Sequence, residues 1–180
     1  MTTEYETRYA IGQQEAKGYD TQALRDAFLA DKLMQPGKIY WVYSHYERFM
    51  VGGAVPLATG LTLDTLDALK SQCFTARREI GVINVGGAGT VQVDNTTYTL
   101  EKGEALYIGA GEHNVTFYSD NSETPACFYL NSAPAHASYP CKKVGKDDAN
   151  VLHLGSPETA NQRDIHQLII NGVVETCQLQ

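Results

Sequence analysis

From Gly81 to Leu130 the chain breaks at short, regular intervals, and this rhythm limits what it can fold into. Residues 81–85, 90–93, 97–100, 105–108, 115–118 and 127–130 each read as a strand. They are rich in β-branched and aromatic side chains and are bounded by turn formers such as Gly86-Gly87-Ala88-Gly89, Asp94-Asn95 and Gly103. The gaps leave no room for crossover helices, so the strands must pair antiparallel in a sandwich or barrel rather than in βαβ units. Upstream, residues 38–44 and 48–51 read as two further strands, the second stopped by Gly52-Gly53. Asp20 can cap a helix over residues 21–29 that sets Leu24, Ala27 and Phe28 on one face. A shorter helix is expected over 62–69, where Leu63, Leu66 and Leu69 recur. Residues 132–161 read as one long connection, and 168–170 and 173–180 again as strands. The fold expected is mainly β with one or two short helices.

With 180 residues the chain is one domain by size. Its 14 basic and 21 acidic residues give a net charge of −7, which argues against a nucleic-acid partner. No run is long and apolar enough for a membrane helix, and the first residues do not resemble a secretion signal. The four cysteines show no C-x-x-C spacing and read as reduced thiols, so a cytoplasmic setting is expected. Residues 1–20 form a polar N-terminal arm, expected to be loosely held until docked.

Glu79, Gly86, the turn at Asp94-Asn95, Gly103-Glu104 and the run Gly109-Ala110-Gly111-Glu112-His113-Asn114 together resemble the frame of a cupin barrel, an antiparallel jelly roll. In that motif a His-x-His pair precedes the glutamate and another histidine follows the last glycine. Here the upstream slots hold Gln72 with Phe74, or Cys73 with Thr75, and the downstream slot holds Asn114. His113 falls one residue short, which on a strand turns it to the other face. One carboxylate cannot hold a transition metal alone, so no metal site is expected, and Glu79 is expected to pair with Arg77 or Arg78. The five histidines are too far apart in sequence for two to share an element. Cys73 has no base beside it and reads as a packed thiol, and Gly86-Gly87-Ala88-Gly89 reads as a wide turn rather than a phosphate cradle. The arginines Arg48, Arg77 and Arg78 remain as candidates to hold a carboxylate through bidentate hydrogen bonds.

Several longer phrases resemble one family. They are Asp20-Thr21-Gln22-Ala23-Leu24-Arg25, Val42-Tyr43-Ser44-His45, Arg77-Arg78-Glu79-Ile80-Gly81-Val82-Ile83-Asn84-Val85-Gly86-Gly87, Tyr139-Pro140-Cys141-Lys142-Lys143 and Glu175-Thr176-Cys177-Gln178-Leu179. The family is that of 5-dehydro-4-deoxy-D-glucuronate isomerase, also called 4-deoxy-L-threo-5-hexosulose-uronate ketol-isomerase. The resemblance implies a bicupin enzyme of pectin and uronide breakdown that makes 3-deoxy-D-glycero-2,5-hexodiulosonate. It also implies zinc in the second cupin half of the complete enzyme and none in this segment. Residues 21–180 would then be the metal-free N-terminal cupin domain, structural and inactive alone, partnered by its own C-terminal half and by further copies in a homo-oligomer. The substrate is a small sugar acid, which Arg48, Arg77 or Arg78 would bind; the catalytic residues are not identified. The alternative is a free-standing, metal-free cupin that binds a sugar acid or holds an oligomer together.

Overall fold

Strand formers alternate along β2 (Ile39–Ser44), where Ile39 and Trp41 point to one side and Tyr40 and Val42 to the other. The same alternation recurs along the chain and builds two sheets that share one core. The computed structural model describes residues 3–179. Met1, Thr2 and Gln180, at the ends of the expected arm and of the last expected strand, lie outside the described residues. In chain order the elements are β1 (Thr3–Arg8), α1 (Gln13–Ala16), α2 (Thr21–Phe28), β2, β3 (Met50–Ala54), β4 (Leu61–Thr62), β5 (Arg78–Asn84), β6 (Gly89–Val93), β7 (Thr96–Leu100), β8 (Ala105–Ile108), β9 (Val115–Ser119), β10 (Phe128–Pro134), β11 (Lys142–Val144), β12 (Asn150–Leu154) and β13 (Arg163–Gln167).

A seven-stranded sheet, ordered β1-β2-β3-β10-β5-β8-β11, faces a four-stranded sheet, ordered β4-β9-β6-β7. Pairing is antiparallel except at the edge, where β1 runs parallel to β2. Ile39, Trp41, Met50, Ile80, Val82, Leu106, Ile108, Phe128 and Leu130 from the large sheet meet Leu61, Val91, Val93, Leu100, Val115 and Phe117 from the small one. Trp41 stacks on Phe74 at 4.7 Å, and Phe117 lies against Phe128 at 5.4 Å. Burial of each such side chain contributes about 1.5–3 kcal/mol. The fold is the expected antiparallel β-sandwich of cupin type with short helices. Among the described residues no helix is long and apolar enough to cross a membrane.

Several local readings change. Gly52 and Gly53 do not end the second strand but lie inside β3. A Cβ on Gly52 would sit 2.6 Å from the Trp41 ring, and one on Gly53 would sit 2.3 Å from the Leu33 carbonyl oxygen. These glycines let the sheet accept close neighbours. The helix expected over 62–69 shrinks to a single 3-10 turn, Asp67–Leu69, because Leu66 is extended and Lys70 is left-handed. Leu63 and Leu66 still reach the core from this extended course. Helix α2 forms where expected, with the Asp20 carboxylate accepting from the Ala23 N–H at 2.8 Å. Its apolar face is not buried, however, and Phe28 is 52% exposed. The arm is not a loose tail, since β1 extends the large sheet.

The long connection over 132–161 holds the end of β10, β11 and β12, and β12 pairs with β13 in a separate two-stranded ribbon. Among the described residues, neither of the two strands expected after residue 167 forms. Leu168, Ile169, Val173 and Val174 instead lie as an irregular strap against Ala105, Tyr107 and Val144 on the outer face of the large sheet.

Candidate functional site

Strand parity separates Arg78 from Glu79. Ile80 and Val82 of β5 face the core, so Arg78 shares their side and Glu79 takes the opposite one. Glu79 is fully buried under the strap. Its Oε1 accepts from the N–H groups of Gln178 and Leu179 at 2.6 and 2.8 Å. Its Oε2 accepts from the Cys177 N–H at 2.8 Å and the Tyr107 hydroxyl at 2.7 Å. Burial, reinforced by this bond to Glu79, pushes the Tyr107 hydroxyl well above the ordinary tyrosine value. The expected pairing of Glu79 with Arg77 or Arg78 is therefore wrong. Backbone amides, not guanidinium groups, satisfy this carboxylate.

Arg78 comes out at the end of the sandwich beside the β2–β3 turn. It is 6% exposed. Its Nε donates to Ser132 Oγ at 3.1 Å, and its Nη2 donates to the carbonyls of Ser132 at 2.9 Å and Arg48 at 2.7 Å. No hydrogen bond engages its Nη1 among the described residues. Burial lowers the guanidinium to about 10, with Tyr43 opposing and the like charge of Arg48 adding to the shift, so it remains a cation at neutral pH.

Arg48 belongs to a turn rather than to the strand expected over 48–51. Glu47 and Arg48 are both left-handed, with φ of 53° and 54°, and the Phe49 N–H closes the turn on the Tyr46 carbonyl at 3.0 Å. Glycine or asparagine usually fills such positions, and other residues cost roughly 1–2 kcal/mol each. Arg77, in the 3-10 turn Phe74–Arg77, donates from Nη2 to the carbonyls of Leu69 at 3.0 Å and Lys70 at 3.2 Å. The three arginines, read separately from the sequence, line one pocket of about 180 Å³ with Tyr43, Ser71 and Pro134. Among the described residues none of the three makes a salt bridge to a carboxylate. Grouped cations without a counter-charge suit a carboxylate ligand, which a guanidinium fork grips in its own plane.

The slots that hold metal in the cupin motif do not fit one here. Phe74 is packed on Trp41, and Thr75 is buried with its hydroxyl accepting from the His113 N–H at 3.3 Å. Gln72, Cys73, His113 and Asn114 line a different cleft, of about 250 Å³, at the other flank of residues 72–75. The His113 ring is engaged through Nδ1 with Asp94 Oδ2 at 2.8 Å. Among the described residues no three of His, Cys, Asp and Glu converge closely enough to hold a metal ion. Tyr43 and Ser71, which complete the arginine pocket, were missed in the sequence. Tyr43 alternates in phase with Ile39 and Trp41, and that phase would have found it.

The family model described as KduI/IolB family matches residues 29–180. A 4-deoxy-L-threo-5-hexosulose-uronate ketol-isomerase of Formosa agariphila is 56% identical over all 180 residues. Ketol-isomerase 1 of the same name from Bacteroides thetaiotaomicron is 47% identical, also over the whole chain. The chain spans 64% of the length of each of these two relatives. Among solved structures, an IolB-like protein from Salmonella typhimurium overlays 68% of this chain and 46% of its own, with a TM-score of 0.47 and 20% identity.

Proposed function

The chain belongs to the KduI/IolB family, and we propose that it is part of a ketol-isomerase acting on 5-dehydro-4-deoxy-D-glucuronate, in which its arginine pocket holds the substrate carboxylate. The product is 3-deoxy-D-glycero-2,5-hexodiulosonate, and the setting is cytoplasmic uronide breakdown. The single observation that carries the role of this chain is the meeting of Arg48, Arg77 and Arg78 in one pocket without a carboxylate partner among the described residues. The names of the relatives support the reaction class.

The size of the pocket supports this reading. Whole-ligand sites run to about 300–1,000 Å³, so 180 Å³ suits one end of a six-carbon acid. The Nη1 of Arg78 offers two N–H groups to a carboxylate oxygen without disturbing its bonds to Arg48 and Ser132, and Arg48 and Arg77 add charge from the rim. Each charge-assisted hydrogen bond contributes about 1.5–3 kcal/mol. Aldose–ketose exchange moves a proton between neighbouring carbons, and fixing the far end of the substrate orients those carbons for a base. In this reading zinc belongs to the rest of the enzyme, because the cupin slots of this chain do not fit it, and no step is derived through it. The exposed apolar face of α2 and the ribbon side chains Leu152, Leu154 and Ile165 support contact with further protein, either the remainder of the enzyme or another copy.

Calorimetry with glucuronate tests the pocket. The chain should bind it, and Arg78→Met should abolish binding without unfolding the domain. Equal affinity of the two would remove the carboxylate role. The alternative, a metal-free cupin that binds a sugar acid without turning it over, rests on the same pocket. An isomerase assay on the protein at the length of its relatives separates the two readings.

A further inference from the structure

The turn that carries Arg48 has a second face. On the side away from the pocket it holds the N-terminal arm. The Tyr46 hydroxyl accepts from the Ile11 N–H at 2.6 Å and donates to the Ile11 carbonyl at 3.0 Å. The His45 N–H donates to the Arg8 carbonyl at 2.9 Å. The His45 ring stacks on Tyr9 at 4.8 Å and meets the edge of Tyr43 at 5.4 Å. Tyr43 is itself a wall of the arginine pocket. A continuous set of contacts therefore runs from the pocket through Tyr43, His45 and Tyr46 to residues 9–11. Between the two lies a turn with two left-handed residues that are not glycine. Such a turn persists only where its surroundings impose it, and the bond from Arg78 Nη2 to the Arg48 carbonyl is the constraint on the pocket side.

We propose that the arginine pocket and the N-terminal arm form one coupled unit, in which a carboxylate in the pocket tightens the docking of residues 9–11. Arg78 is the positioning residue and the Glu47–Arg48 turn is the moving part. The inference rests on reading the pocket as an anion site. Both Nη2 hydrogens of Arg78 are engaged by carbonyls, so a carboxylate binds at Nη1 and draws in the Arg48 side chain while the lock on the turn stays closed. The ligand then favours the closed turn over any open one by its differential affinity for the two. Coupling of this kind is reciprocal, so loosening the arm must weaken the anion site.

Three measurements on the full 180-residue chain test the coupling, with potassium glucuronate as the probe. In hydrogen exchange, glucuronate should slow the amides of residues 45–49 and 9–11 together. Binding that leaves 9–11 unchanged would overturn the coupling while sparing the anion reading. Tyr46→Phe, which removes both bonds to Ile11 at a residue that does not line the pocket, should weaken glucuronate binding about two- to tenfold. A merely structural Tyr46 would leave that affinity unchanged, and this outcome also overturns the proposal. Without ligand, Arg78→Lys should speed exchange in both segments, whereas Arg77→Lys should not. Unchanged exchange in Arg78→Lys would overturn the role of Arg78, and absence of any glucuronate binding would overturn the anion reading and the coupling with it.

Discussion

Replacing Glu79 by glutamine changes little in shape and much in hydrogen bonding. The carboxylate accepts four bonds, three of them from the backbone N–H groups of Cys177, Gln178 and Leu179. A glutamine amide keeps one oxygen as acceptor, and its NH₂ can donate to the Tyr107 hydroxyl but cannot satisfy a backbone N–H. The better rotamer, with the oxygen on Gln178 and Leu179, therefore strands the Cys177 N–H beside a side chain with no exposure to water. A stranded buried donor costs about 1–3 kcal/mol, against a typical stability of 5–15 kcal/mol. The loss should be local before it is global, because the bonds tie only the end of the strap to β5. Urea unfolding measures the total. With m on the order of 2 kcal/mol/M, the midpoint should fall by about 0.5–1.5 M. Hydrogen exchange locates the loss, with amides 177–179 losing protection ahead of those in β5 and β10. A fall of less than about 0.5 kcal/mol, or exchange that rises evenly across the sheet, would refute the reasoning.

Other perturbations have outcomes of known sign. Gly52→Ala places a Cβ 2.6 Å from the Trp41 ring, so it should cost about 1–3 kcal/mol and shift the emission of the single tryptophan; unaltered stability would show that the sheet yields. The Arg78 guanidinium titrates at about 10, so glucuronate affinity should be flat from neutral pH and fall as the pH rises through that value, and Arg78→Met should show no such fall. The Asn114 N–H and then His113 hold the Asp94 carboxyl below its ordinary value. Its contribution to stability is therefore complete above the unfolded carboxylate value of about 4 and is lost as the pH drops toward the folded one. Asp94→Asn should flatten that acid limb in a thermal-melt series.

The strand rhythm between Gly81 and Leu130 was legible because turn formers bound each segment, and alternation survives in half-buried strands such as β6, while β5 and β8, buried on both faces, read as continuous apolar runs. Legibility failed where tertiary contacts override local preference. Gly52 and Gly53 read as breakers in isolation, yet Trp41 and Leu33 need the space above them. Leu63, Leu66 and Leu69 keep a helical spacing, yet an extended path carries two of them into the core. The last segment is apolar enough for strands, but no free sheet edge receives it. It lies across a face, where backbone amides find a carboxylate instead of a ladder.

For the site, residue types were readable and their partners were not. Arg48, Arg77 and Arg78 were readable as candidates although Glu47 and Glu79 stand beside two of them, but nothing in the letters brings Arg48 to Arg77 and Arg78, because the β10 strand that seats Arg78 lies more than fifty residues away. The pairing assigned to Glu79 was within reach of a better argument. A strand turns neighbours to opposite faces, and that rule forbids Arg78 and Glu79 from meeting. Applied to β5, it puts the cation toward the barrel mouth and the anion beneath the strap. Arg78 thus keeps its charge in the pocket because Glu79, its neighbour in sequence, is committed to the other side of the sheet.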